Sequence, residues 1–102
     1  ETAIVILNWN GKKLLENFLP SIINFSSELA EIYVADNASS DSSIGYIKEY
    51  FPLVHIVKNT TNGGYAKGYN EALKNIDADI YCLINSDIFL FVIILTAITI
   101  IN

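Results

Sequence analysis

Apolar runs closed by small polar residues punctuate this chain at regular intervals. Ala3 to Leu7 (AIVIL) is uninterrupted, then stops at Asn8-Trp9-Asn10-Gly11, which predicts a strand buried on both faces and a turn. Leu14, Leu15, Phe18, Leu19, Ile22 and Ile23 recur at helical spacing, with Asn10 as the expected cap and Pro20 expected to kink or restart the helix near Leu19. Glu31 to Asp36 (EIYVAD) predicts a second strand, and Ser42 to Tyr50 a short helix closed by Phe51-Pro52. Leu53 to Val57 predicts a third strand, followed by the polar loop Lys58 to Gly64. Tyr65, Tyr69, Ala72, Leu73 and Ile76 form a helical stripe, and Asp79 to Ile84 a fourth strand ending at Asn85-Ser86-Asp87.

The predicted order is β-α-β-α-β-α-β, with connections too long for hairpins. Such a chain makes a mostly parallel sheet with helices on both faces, an α/β Rossmann-like three-layer α/β/α fold with right-handed crossovers. Ligands of these folds bind outside the carboxyl ends of the strands. Asn8 to Gly11, Asp36-Asn37, Asn59 to Gly64 and Asn85 to Asp87 all fall at such ends. The stretch VADNASSD, Val34 to Asp41, is the most pointed of them. A turn alone would need only the small polar residues, whereas Asp36 adds a carboxylate at a strand terminus, where a ligand is read.

Composition narrows the choice of ligand. With 102 residues, 52% of them hydrophobic and 17% charged, the chain is expected to form one domain over residues 1–102 with a packed core. Net charge is −5, and the six basic residues are all lysines without a cluster, which argues against nucleic acid as a partner. One histidine, His55, and one cysteine, Cys82, exclude metal sites built from His/Cys clusters and an internal disulfide. Cys82 sits in an apolar run and is expected to be a buried thiol, and His55, inside a strand, a structural residue. The chain starts at Glu1 and has no methionine, so it is expected to begin within a longer product. No basic-then-apolar leader is visible, which makes the cell interior the expected compartment.

Two nucleotide motifs fail on inspection. A dinucleotide fold needs a glycine-rich turn after its first strand, and Asn8-Trp9-Asn10-Gly11 offers one glycine. Gly63 to Gly68 spaces its glycines like a P-loop, but Tyr69 stands where Lys-Ser/Thr is required. The loop INSD, Ile84 to Asp87, presents a neutral oxygen at Asn85 and a carboxylate at Asp87. Mg²⁺ or Mn²⁺ is commonly held by one or two protein carboxylates, with phosphate and water completing the shell. The same side chains could instead close an Asx-turn, and the tripeptide leaves both open. The loop Asn62-Gly63-Gly64 opens a helix and offers backbone N–H groups to an anion, and Lys67 stands one turn on, as added charge or as a solvated side chain.

Taken together and in order, IVILNWNG, VADNASSD, NTTNGGYAKGYNEAL and LINSD resemble the nucleotide-binding half of family 2 glycosyltransferases with the GT-A fold, over Ala3 to Asp87. The resemblance implies that Asp36 pairs with the base of a nucleotide-diphosphate sugar and that its neighbour Asn37 belongs to the nucleotide site. It implies that Asn8 and Trp9 line the nucleotide pocket and that Asn85 lies near the ribose. Asn85-Ser86-Asp87 matches the family's Asp-x-Asp element, so Asp87 would bind the divalent cation, Mg²⁺ or Mn²⁺, on the diphosphate. Gly63, Gly64 and Lys67 complete the expected nucleotide site. The implied reaction moves a sugar to a hydroxyl of a saccharide or lipid-linked acceptor with inversion, as in cell-envelope polysaccharide synthesis. Cation chemistry fits, because a nucleoside-diphosphate leaving group gathers charge that a metal neutralises without proton transfer.

The chain departs from the family in two places. Family members continue past the metal element into an acceptor-binding half that carries a general base, so the chain is expected to be truncated before that half and incomplete for catalysis. Ile88 to Ile101 (IFLFVIILTAITII) is an atypical apolar tail without a charge, and its 14 residues are too few for a helix to cross a bilayer, which takes roughly 20. It could form a buried strand, a membrane-surface segment or a self-association element, and its β-branched and aromatic content favours strand. The competing functional classes are a non-catalytic nucleotide-binding module that associates through this tail, and a nucleotidyltransferase. The latter would carry a basic glycine-rich loop after the first strand.

Overall fold

The computed structural model describes residues 2–26, 28–85 and 90–94, the side chains of 25, 26, 65, 85 and 90–94 excepted. The elements run β1 (Thr2–Asn8), α1 (Lys12–Ser26), β2 (Glu31–Asp36), α2 (Ser43–Tyr50), β3 (His55–Lys58), α3 (Tyr65–Leu73), β4 (Ile80–Asn85) and β5 (Leu90–Ile94). They form one sheet in the order β3-β2-β1-β4-β5. β1 pairs in parallel with β2 and β4, and β2 with β3, while β5 returns antiparallel along β4. The chain therefore moves outward from β1 to β3, then crosses back to place β4 on the other side of β1. That reversal puts a crevice at the carboxyl ends of β1 and β4.

Alternation along the strands fills two cores. Ile4 and Ile6 of β1, Ile32 and Val34 of β2 and Ile84 of β4 pack with Leu15, Phe18 and Leu19 of α1 and Ile47 of α2. The intervening residues, Ala3, Val5 and Leu7, with Ala35, Tyr81 and Leu83, meet Ala72 and Leu73 of α3 on the opposite face. Both faces of β1 are thus buried, which is why its sequence reads as an unbroken apolar run. The buried Tyr81 hydroxyl donates to the carbonyl of Ile76 at 2.8 Å and accepts the N–H of Ala78 at 3.2 Å, pinning the turn between α3 and β4.

Four expectations need correction. α1 runs through Pro20 without a restart. Pro20 and Glu16 are both exposed, so the ring and the carbonyl it deprives of a partner face water. Asn10 does not cap α1, because its Oδ1 accepts instead from the N–H groups of Ser40 at 2.7 Å and Asp41 at 3.1 Å. β3 begins at His55 rather than Leu53: the N–H of Val54 bonds the carbonyl of Phe51, closing a turn that leaves Leu53 91% exposed. Cys82 is half-buried, and burial pushes its thiol pKa up. His55 is structural as expected: it stacks on Tyr33 at 4.6 Å and its Nε2 lies 3.1 Å from Glu31 Oε1.

The tail is strand where it is described, at Leu90–Ile94. Residues 88–89 and 95–101 lie outside the described residues. Among the described residues no helix is long and apolar enough to cross a membrane.

Candidate functional site

Strand parity sends polar side chains to both faces where β1 and β2 end. Asn8 continues the series Ile4-Ile6, and Asp36 the series Ile32-Val34, so both emerge on the side of α1 and α2. They are register partners, and both are buried. The Asn8 amide donates to Asp36 Oδ1 at 3.0 Å and to Ser43 Oγ at 3.0 Å, and its Oδ1 accepts the N–H of Gly11 at 3.2 Å. Ser39 closes the cage, its hydroxyl donating to Asp36 Oδ1 at 2.6 Å and its N–H to Oδ2 at 2.9 Å. Ala38 makes this possible by adopting φ 59°, a left-handed turn that brings Ser39 back over the carboxylate. Asp36 is a carboxylate held by three donors at a strand end, a geometry that satisfies its charge while it stays buried.

Asn37 exits on the opposite face, toward α3. Its Oδ1 accepts from the buried Asn59 amide at 2.7 Å, while its own amide donates to Asn62 Oδ1 and to the carbonyl of Gly64, each at 3.3 Å. Asn59 also donates to the carbonyl of Gly68 at 3.0 Å. These bonds lash the first turn of α3 to the end of β2. Gly64, at φ 89°, turns the chain into that helix through a region closed to most side chains. Gly68 is where helix and strand touch: a Cβ there would come within 2.7 Å of the Asn37 amide nitrogen and 2.9 Å of Leu7 Cδ1.

Asp41 occupies a third position that sequence reading missed. Its Oδ1 accepts from the N–H and hydroxyl of Ser43, and its Oδ2 accepts from the N–H of Lys12 at 3.3 Å. One carboxylate therefore serves the first residues of both α1 and α2, where helix dipoles favour negative charge. Partial burial pushes its pKa up, but the hydrogen bonds from Ser43, Lys12 and its own N–H outweigh that and leave the pKa below the ordinary value.

The structure thus gathers Asn8, Asp36 and Asn37 in buried networks at the strand ends, with Trp9 beside them, 54% exposed. Gly63, Gly64 and Lys67 are exposed around the start of α3, the methylenes of Lys67 lying over Gly63. Asn85 ends β4, opposite Leu7 in the register. Asp87, the expected metal ligand, lies outside the described residues. Among the described residues no three His, Cys, Asp or Glu side chains cluster. Ser39, Asp41, Ser43 and Gly68 are the site residues not singled out from sequence, and Asn59 was marked only as part of a strand-end loop. The spacing of Ser39 from Asp36 was the available sign, since a serine three residues after an aspartate can close an Asx-type turn.

A β3-β2-β1-β4 parallel core with a polar crevice at its topological switch is the architecture of nucleotide-binding α/β domains. The model for glycosyl transferase family 2 matches residues 3–91, and the chain belongs to that family. It is 33% identical over 91 residues to the uncharacterized glycosyltransferase YfnE of Bacillus subtilis, covering 85% of this chain and 23% of YfnE. Its fold matches the mannosyltransferase PcManGT of Pyrobaculum calidifontis, solved with GDP-Man and Mn²⁺, with TM-score 0.72, 24% identity, and coverage of 84% of this chain and 27% of that one. S. aureus TarS 1–349, solved with UDP-GlcNAc, matches with TM-score 0.72 and 24% identity over 85% of this chain and 26% of TarS 1–349. The fold is GT-A, and the chain spans about a quarter of the length of these relatives.

Proposed function

We propose that this chain is the donor-binding region of a glycosyltransferase that moves a sugar from a nucleotide-diphosphate sugar to an acceptor hydroxyl with inversion. The observation that carries the reading is the buried Asp36 carboxylate, fixed by Asn8 and Ser39 at the carboxyl end of β2 in a family 2 chain. A carboxylate so held accepts hydrogen bonds and cannot donate one, which suits a base that presents ring N–H groups. Asn8, Trp9 and Asn37 line the nucleotide, Asn85 lies near the ribose, and Gly63, Gly64 and Lys67 face the diphosphate. Asp87 would hold Mg²⁺ or Mn²⁺, and such a cation would supply positive charge to offset that of a nucleoside-diphosphate leaving group.

The acceptor on this reading is a saccharide or a lipid-linked saccharide of the cell envelope. Ile88 to Ile101 supports self-association. Calorimetric titration with UDP and GDP, with and without Mn²⁺, tests the proposal. Binding that strengthens with Mn²⁺ and loses that dependence in Asp87→Ala is expected. Absence of binding to either nucleotide would refute it, and binding without sugar transfer by a chain extended to its relatives' length would favour a non-catalytic module.

A further inference from the structure

The donor-binding reading places a ligand on Asp36 but assigns nothing to Asp41, whose side chain lies at the surface against Ser43 and Lys12. A continuous chain of hydrogen bonds nevertheless joins the two carboxylates. Ser43 has a single hydroxyl proton, and it goes to Asp41 Oδ1. With its proton committed, the fully buried Ser43 Oγ can only accept, and it receives the Asn8 amide at 3.0 Å. That same amide nitrogen donates to Asp36 Oδ1 at 3.0 Å. Gly11 N–H, bonded to Asn8 Oδ1, holds the other end of the amide. The bonds diverge from the Asn8 amide, one directly to Asp36 and one through Ser43 to Asp41, and the series Gly11 N–H to Asn8, Asn8 to Ser43 and Ser43 to Asp41 runs donor to acceptor in one sense, so its members polarise one another.

We infer that Asp41 is a positioning residue for the ligand-binding carboxylate, acting through Ser43 and Asn8 to fix Asp36 at the end of β2. This rests on the proposed donor site for its ligand, though not for its geometry. The ionised state that the chain requires is favoured by the hydrogen bonds Asp41 receives, and it also ties the position of Asp36 to the seating of α1 and α2, whose first residues donate to the same carboxylate.

The test compares the parent chain with Asp41→Asn, Ser43→Ala and the double variant. In nucleotide-free protein labelled with ¹⁵N, both single variants should shift the Asn8 side-chain amide resonances, and Ser43→Ala, which leaves the buried Asn8 amide short of an acceptor, should also lower the melting temperature. A drop in melting temperature with the Asn8 amide unmoved would reduce Asp41 to a helix-end residue and overturn the inference. UDP or GDP affinity should fall about ten-fold in each single variant, the scale of a lost hydrogen bond to a charged group. The double variant should bind no worse than the weaker single, because both cut the same chain. Additive losses, or parental affinity in Asp41→Asn, would overturn it. If the parent binds neither nucleotide, the donor-site proposal fails, and the Asn8 resonances alone decide whether Asp41 positions Asp36.

Discussion

Asn8 and Asp36 end adjacent parallel strands in register, and the amide of one donates to the buried carboxylate of the other at 3.0 Å. A pair of this kind is expensive to break, because each partner is left facing protein instead of water. Asn8→Ala removes a donor from Asp36, from Ser43 and an acceptor from Gly11. It should destabilise the fold by about 1–3 kcal/mol, the usual cost of leaving buried polar groups unsatisfied. Asp36→Ala should cost a similar amount and abolish measurable nucleotide binding. Urea denaturation followed by circular dichroism checks both, and unchanged midpoints would mean that water enters the cage.

The two helical glycines should respond in opposite directions to alanine. At Gly68 the added methyl would meet the buried Asn37 amide and Leu7, both fixed by their surroundings. Overpacking there should cost about 1–3 kcal/mol and override the gain in helix propensity of about 1 kcal/mol. Gly45 in α2 has nothing within 4 Å of an added methyl, so Gly45→Ala should stabilise by up to about 1 kcal/mol. Thermal melts of the two variants read the contrast directly, and equal shifts would mean that α3 does not press on β2 at Gly68.

These two glycines also mark where sequence reading stops. The strands were legible because β1 is buried on both faces and β2 ends on a charged residue, patterns that periodicity exposes. Asp36 stood out as a carboxylate at a strand end, and Asn8 only through the resemblance of the loop it opens to the family's. Gly68 was not, since a glycine inside a helical stripe looks the same whether it touches a neighbouring strand or open water. Asn10 misled for a related reason: its amide can serve the helix that follows it or a loop 30 residues away, and only the fold chooses between them. Ser43 and Asn59 became site residues through contacts across elements, which spacing along one element does not encode.

Asp41 should leave a signature in acid. Its folded pKa lies below the ordinary value, because hydrogen bonds from Ser43 and Lys12 outweigh the effect of partial burial. The sign follows from linkage: the stabilisation is fully present above the unfolded pKa, near 4, and is lost as pH falls through the lower folded value. The parent should therefore lose stability below about pH 4 more steeply than Asp41→Asn, which has no proton to take up there. Melting temperatures across pH 2–6 compare the slopes, and parallel curves would show that Asp41 keeps the same pKa in both states.

The apolar tail offers the last prediction. β5 pairs through one edge with β4, and among the described residues no strand pairs with its other edge. Ile88 to Ile101 carries no charge and no proline, the devices by which edge strands avoid pairing with another chain. Several large side chains in that segment are each worth roughly 1.5–3 kcal/mol when fully buried, a strong incentive to find cover. The intact chain should therefore self-associate at micromolar concentration in sedimentation velocity. A lysine on the edge strand, Val92→Lys, should shift the population toward monomer, since a charge at such an edge must be desolvated on pairing. A parent that sediments as a monomer, unaffected by Val92→Lys, would mean that the tail finds its cover within its own chain.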